Sequence, residues 1–340
     1  MNLDAYLSGR LFYVCKLRPE APVLQSKWIS SARTLLTIAV IGFLVNALIS
    51  NWKEIQAHQW QLRPELLVLA GALTLAFILL HSVLWAKMLK LLGLSLAYPT
   101  GIRLYLLAHL TRYIPGGIWP FATLSLYGRE NQIPASILIA LLALDMVFVA
   151  WVSALFSLPI LYRLEVLSLT SVAILALLAV VASLALGPVV LRRALLLVTR
   201  WQRLSPAVAI QKLASYKDTW FLLAAYGALH ALLLLSFGSF MKGLTPLETG
   251  DALYAGIAWS GAWLIGFLIV FLPSGLGARE ASLVLFLQPV LAAPVAGAAA
   301  VAHRFLGTLL DLLILVAVYV FLAAARKRVP HEESVAPRQI

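Results

Sequence analysis

Long apolar runs separated by short polar intervals set the plan of this chain. They extend over Thr34 to Ser50, Leu66 to Ala86, Ile102 to Leu126, Ala135 to Ile160 and Val166 to Leu191, then Thr219 to Phe240, Ala252 to Leu272, Ala281 to Val301 and Phe305 to Ala325. Segments of about 20 residues that are apolar on every face match the thickness of a bilayer rather than one face of a soluble helix. The pattern predicts an all-α fold: a polytopic membrane helix bundle of about eight spans. Two runs are interrupted, at Arg112-Tyr-Ile-Pro-Gly-Gly-Ile-Trp-Pro120 and at Leu272-Pro-Ser-Gly-Leu-Gly-Ala-Arg-Glu280. Broken backbone at membrane depth frees amide and carbonyl groups that lipid cannot satisfy, so it survives only when buried in protein or lining a watery cavity. Each break also has an arginine beside it, and together they are candidate parts of one site.

Eight crossings follow if Ile102 to Leu126 enters and leaves on one face and Ala281 to Val301 crosses fully. Pro289 and Pro294 weigh against a full crossing, because proline inside a helix removes a hydrogen bond and clashes with the preceding turn. A re-entrant hairpin at Ala281 to Val301 is then expected to put the tail on the outer side.

Composition agrees with a membrane location: 62% hydrophobic and 12% charged residues, with a mean hydropathy of +0.93, against roughly 45–50% apolar and 25% charged in soluble domains. The net charge of +12 reflects orientation rather than nucleic-acid binding. The N-terminal segment, the Lys87 to Arg103 interval, the Arg192 to Lys217 interval and the tail hold eighteen basic residues, and the alternate intervals hold four (Lys53, Arg63, Arg163 and Lys242). With both termini cytoplasmic the two sets fall on opposite sides, as the positive-inside rule expects, which fits a plasma (inner) membrane. Residues 1–33 read as a cytoplasmic or interfacial lead-in rather than a cleaved signal peptide. Residues 34–325 form the transmembrane domain, and 326–340 a disordered cytoplasmic tail. The Arg192 to Lys217 interval is either a helix in the headgroup region or a solvated connector. The single cysteine, Cys15, excludes an internal disulfide.

The halves hint at a repeat: an apolar helix, a Gly/Pro break with arginine, a short apolar piece, then a long span with one aspartate, Asp145 or Asp311. Interrupted segments at matching positions in two halves point to a transporter's substrate site. Glycine admits close backbone approach, and a helix that starts after a break aims free N–H groups into the gap. Arg112 and Arg279 are suited to charge-assisted, bidentate bonds to a phosphodiester. Glu280 either balances the empty site or pairs with Arg112. The bland alternative is that these charges only pair and cap helix ends. Asp145, Arg304 and Asp311 are candidates for coupling or for structural charge. Arg304 and Asp311 share a helix face two turns apart, with partners expected on other helices. His81, His109, His230 and His303 read as interior histidines, and His109 stands out for lying one turn before Arg112. No metal-binding spacing and no phosphate-binding loop occurs, so neither metal nor nucleotide cofactor is expected.

The two broken motifs together resemble the paired signatures of the lysylphosphatidylglycerol synthase transmembrane-region family, the flippase-like integral membrane proteins. The likeness extends over about residues 34 to 325, with its specificity in Arg112 to Trp119 and Pro273 to Glu280. One departure is Trp119-Pro120, where members carry a glycine after the hydrophobic residue. The resemblance implies the lipid-handling part alone, without the soluble aminoacyl-transferase, and it associates free-standing members with lipid-linked precursors or glycosyltransferase pathways.

The expected function is non-enzymatic: translocation or binding of an anionic lipid or lipid-linked precursor, through a polar groove at the two motifs. The substrate-binding candidates are Arg112, Tyr113, Pro115, Gly116, Gly117, Trp119, Pro273, Ser274, Gly275, Gly277, Arg279 and Glu280. The rivals are a membrane-embedded transferase acting on a lipid phosphate, disfavoured by scattered extramembrane acids (Glu54, Glu65, Glu165, Glu248, Asp251) where such chemistry needs a positioned acid or metal, and a non-transporting scaffold for a glycosyltransferase or lipid-synthesis partner.

Overall fold

The computed structural model describes residues 49–91, 96–111, 119–130, 135–201, 215–269 and 277–327, with a few isolated positions besides. Its elements are α1 (Trp52–Ala57), α2 (Pro64–Leu91), α3 (Tyr98–Leu110), α4 (Trp119–Glu130), α5 (Ala135–Ser157), α6 (Ile160–Arg163), α7 (Leu169–Trp201), α8 (Tyr216–Leu244), α9 (Thr249–Leu268), α10 (Ala278–Leu287) and α11 (Ala293–Lys327). All are helical, as backbone groups in hydrocarbon require when no barrel closes. Among the described residues six helices are long and apolar enough to cross a membrane: Pro64–Leu91, Ile137–Arg163, Leu169–Val189, Tyr216–Leu244, Thr249–Leu268 and Ala293–Ala317.

The centre of the bundle is the pair α2 and α8, and they run antiparallel. Leu67 of α2 lies against Gly243 of α8, Thr74 Oγ1 is 2.8 Å from Ser236 Oγ, and at the far end Tyr226 donates to Met88 Sδ at 3.2 Å. Each central helix leads into a hairpin. From the C-terminal end of α2 the chain enters α3, breaks after Thr111, and resumes as α4. From the C-terminal end of α8 it enters α9, breaks after Ile269, and resumes as α10. Because α2 and α8 are antiparallel, the two hairpins enter the bundle from opposite ends. Long helices close each half: α5 packs on α8 and α9, while α11 packs on α2 and α10.

Two expectations are corrected, the first being the full crossing of Ala281 to Val301, for which a re-entrant hairpin was the alternative. Ala281 to Val301 is not one helix: α10 ends at Leu287, residues 288–292 turn, and α11 begins at Ala293 and runs through the last apolar run. Pro289 therefore sits in a turn and Pro294 in a first helical turn, where its missing N–H costs nothing. Tyr254 Oη donates to the Phe286 carbonyl at 2.7 Å, so the end of α10 returns to the start of α9. The hairpin is made of α9 with α10, and α11 follows it as a separate long helix. The second correction concerns α7, which continues through Trp201 past the expected boundary at Leu191; residues 202–214 lie outside the described ones.

Burial follows this plan. α7 is the outermost span, with 11% of its apolar window buried, and α9 the innermost, with 56%. Small residues allow α8 and α9 to touch backbone to backbone: a Cβ on Gly238 would stand 2.5 Å from the Ala252 carbonyl oxygen, and one on Gly256 would run into that of Leu234. Such close approach is the usual basis of helix association in lipid.

Candidate functional site at the two broken hairpins

The second break is built on glycine. Gly275 has φ +66° and Gly277 φ +82°, a region that costs an L side chain free energy. At Gly275 space forbids a side chain as well, since a Cβ there would meet the Gly266 carbonyl oxygen at 2.7 Å and its Cα at 2.8 Å. Twelve residues of α9, about 18 Å of rise, separate Gly266 from the Tyr254 clasp at the open end, so the break lies deep in the bundle.

Gly277 opens α10, and the first turn carries the charges. Glu280 is buried; its Oε2 accepts the Gly277 N–H at 2.8 Å and its Oε1 lies 2.6 Å from Arg304 Nε on α11. The carboxylate thus satisfies a helix N-terminus and meets a cation, the two compensations a buried charge needs. Glu280 was expected to balance the site's charge or pair with Arg112; among the described residues Arg304 is its cationic partner, and Arg112 lies outside them. The Arg279 guanidinium stacks over the Trp259 ring, 4.7 Å from its centroid, and its Cβ packs against Gly266. Pro273 and Ser274 lie outside the described residues.

At the first break α3 delivers His109, whose Nε2 is 3.1 Å from Asp311 Oδ1 of α11. The chain then passes into 112–118; Arg112, Tyr113, Pro115, Gly116 and Gly117 all lie outside the described residues. Trp119 begins α4 beyond them and is half-buried. Arg304 and Asp311 find their partners on other helices, as expected, and these partners belong to different hairpins. Two turns of α11, about 10 Å, therefore join the first turn of α10 to the last turn of α3.

Asp145 on α5 sits in a separate polar cluster. Its Oδ1 is 2.7 Å from His81 Nε2 and accepts the Tyr226 hydroxyl, while His81 Nδ1 is 2.9 Å from the Tyr105 hydroxyl on α3. Phe148 stacks flat on Tyr226 at 5.0 Å. Tyr105 in turn stacks on His109, with centroids 5.5 Å apart, so the cluster reaches the first break through one helix.

Of His81, Tyr105 and Tyr226, only His81 was named from the sequence, as an interior histidine. A fixed spacing carries the signal for the first two: His230 follows His81 by 149 residues (230 − 81), and Thr249-Gly250…Leu253-Tyr254 follows Thr100-Gly101…Leu104-Tyr105 by the same interval. The structure puts these at matching places on α2 and α8 and on α3 and α9, with different chemistry. His230 Nε2 meets Ser260 Oγ at 2.8 Å where His81 meets a carboxylate, and Tyr254 bonds a backbone carbonyl where Tyr105 bonds a histidine. His303 is ringed by Phe237, Phe240 and Trp259. Among the described residues no three His, Cys, Asp or Glu side chains gather as a metal site would need.

The family model described as Lysylphosphatidylglycerol synthase TM region matches residues 31–328. Comparison with curated proteins and with solved structures returns no match.

Proposed function

The chain belongs to the lysylphosphatidylglycerol synthase transmembrane-region family, as a multi-pass membrane protein with a lipid-related role, and from that premise we propose that it moves the headgroup of an anionic lipid or lipid-linked precursor between leaflets. The observation that carries this reading is the pair of broken hairpins entering from opposite ends of the bundle, with α11 reaching one through Arg304 and the other through Asp311. A charged headgroup crossing hydrocarbon alone faces a large desolvation cost. A polar path from either face toward a common depth, with helix N-termini and arginines along it, lowers that cost.

In this reading Arg279 and Arg112 bind the phosphate. Gly275 and Gly277, with Gly116 and Gly117 in the first motif, give it backbone access, while acyl or prenyl chains remain in lipid. Trp259 contacts the Arg279 guanidinium through its ring face, and a guanidinium is the group suited to bidentate bonds with a phosphate. Trp119, Tyr113, Pro115, Pro273 and Ser274 shape the two openings. The chain acts without covalent chemistry on the lipid, in a plasma membrane with both termini cytoplasmic. The first apolar run, α2, α5, α7, α8 and α11 then cross, and the eighteen basic residues of the N-terminal segment, the Lys87 to Arg103 and Arg192 to Lys217 intervals and the tail stay inside.

Lipid mass spectrometry on gently purified wild type, Arg112→Ala and Arg279→Ala tests this. One anionic lipid class enriched in wild type and lost from both variants is the expected result. Equal bulk lipid in all three counts against a shared phosphate site, and a chemically altered lipid produced by the purified chain would make it a transferase instead.

A further inference from the structure

Asp145 and His81 lie on two spans, at 7% and 5% exposure, and the phosphate site has no use for them. Their hydrogen bonds join four helices, and one neutral tautomer of His81 suits them. Tyr226 donates its hydroxyl proton to Asp145 Oδ1, and in that tautomer His81 Nε2–H donates to the same oxygen, 2.7 Å away. His81 Nδ1 is left to accept from Tyr105 Oη at 2.9 Å. That arrangement has a neutral imidazole and an ionised carboxylate, so the cluster carries one buried negative charge. A proton arriving from either aqueous face forms an N–H bond at Nδ1 and cancels the charge, leaving an imidazolium beside a carboxylate. Tyr105 can then no longer donate to Nδ1; its hydroxyl must turn and accept.

This matters because Tyr105 is on α3, the helix that carries the first break, two turns before Arg112. Two of the polar contacts holding α3 to the bundle pass through a histidine bound to an aspartate: Tyr105 to His81 and Asp145, and His109 to Asp311. The groups facing the Asp145–His81 pair are Tyr226 from α8 and Tyr105 from α3, with His109 and Asp311 of α11 one turn further along α3. Lys87 of α2 turns away, 3.5 Å over the Phe221 ring. At the matching place in the second half, His230 meets serine hydroxyls instead of a carboxylate.

We propose that Asp145 and His81 form a proton-binding site that sets the placement of the α3 hairpin, and that proton uptake there drives headgroup movement. The inference rests on the lipid-moving reading above and names its coupling ion.

The test reconstitutes the full chain into phosphatidylcholine vesicles containing tail-labelled fluorescent phosphatidylglycerol, and follows label movement between leaflets with and without an imposed proton gradient. Wild type is expected to respond by about fivefold or more, the low end of ordinary coupling between sites. Asp145→Asn and His81→Gln are expected to keep gradient-independent movement and lose the response, and Asp145→Glu to regain it. Acid-pulse measurements in weak buffer, on protein in detergent, are expected to show greater proton uptake by wild type than by Asp145→Asn. Wild-type movement indifferent to the gradient, or a variant as responsive as wild type, overturns the proton site and leaves the lipid reading intact. No label movement by any protein under any gradient, with equal proton uptake by wild type and Asp145→Asn, removes both. No movement with unequal uptake keeps the proton-binding site and removes its lipid cargo.

Discussion

Arg304 Nε lies 2.6 Å from Glu280 Oε1, and this pair ties α11 to the first turn of α10. Glu280 is the more buried partner and also holds the Gly277 N–H. Removing the cation from a buried, hydrogen-bonded carboxylate costs about 3–5 kcal/mol, because the charge stays behind. Arg304→Leu is therefore expected to destabilise the protein by that order, while Glu280→Gln, which still accepts from Gly277, costs less. The double variant is expected to recover much of the Arg304→Leu loss. Unfolding of the four proteins in detergent, read as a double-mutant cycle, checks it; additive losses would mean that the two side chains do not depend on each other.

Gly275→Ala is expected to disrupt the second break more than Gly277→Ala. Both glycines have positive φ, which costs a non-glycine residue about 1–3 kcal/mol, and at Gly275 the new methyl also meets the backbone of Gly266. Thermal stability in detergent should fall further for Gly275→Ala. Gly266→Ala, which approaches the Arg279 Cβ at 3.0 Å, is expected to fall between wild type and Gly275→Ala.

The membrane helices and the broken second motif were legible in the sequence because apolar run length and Gly/Pro interruption are local signals. Partner choice was not. Glu280 is adjacent to Arg279 in sequence yet pairs with Arg304, since successive residues of a helix diverge by about 100° and the α10 face that carries Glu280 is the one that meets α11. Ala281 to Val301 stayed open between a full span and a re-entrant hairpin because residues 288–292 are themselves largely apolar and only Pro289 and Pro294 marked the interruption. The Asp145 cluster escaped because its members come from α2, α3, α5 and α8, and only the fold brings them together.

The Arg279 guanidinium sits 4.7 Å from the centroid of the Trp259 ring, and in the proposed phosphate site lysine would not replace it, because an ammonium is a point charge without the planar fork of a guanidinium. Arg279→Lys is expected to keep the chain folded and lose most of the bound anionic lipid, and Trp259→Leu to weaken lipid retention by less, about tenfold if stacking contributes around 1–2 kcal/mol. Lipid retained per chain after detergent exchange measures both. Full retention by Arg279→Lys would reduce the site to a point charge.

The fate of the chain after α9 separates two topologies by a simple labelling pattern. If Ala281 to Val301 crossed the membrane as one helix, Gln288 would lie in the hydrocarbon and resist a polar reagent. In the hairpin, α10 returns to the face where α9 began, fixed by the Tyr254 bond to Phe286, and Gln288 is exposed in the turn that follows. In a Cys15→Ser background, Gln288→Cys and Glu248→Cys are therefore expected to react with a membrane-impermeant maleimide from the same side, the side opposite the cytoplasm if the basic intervals lie inside. A cysteine at Leu309, near the middle of α11 and exposed on the bundle surface, should stay unlabelled from either side because lipid covers it. Labelling of Gln288→Cys from the side opposite to Glu248→Cys would mean that α9 and α10 together cross, and would return the tail to the other face.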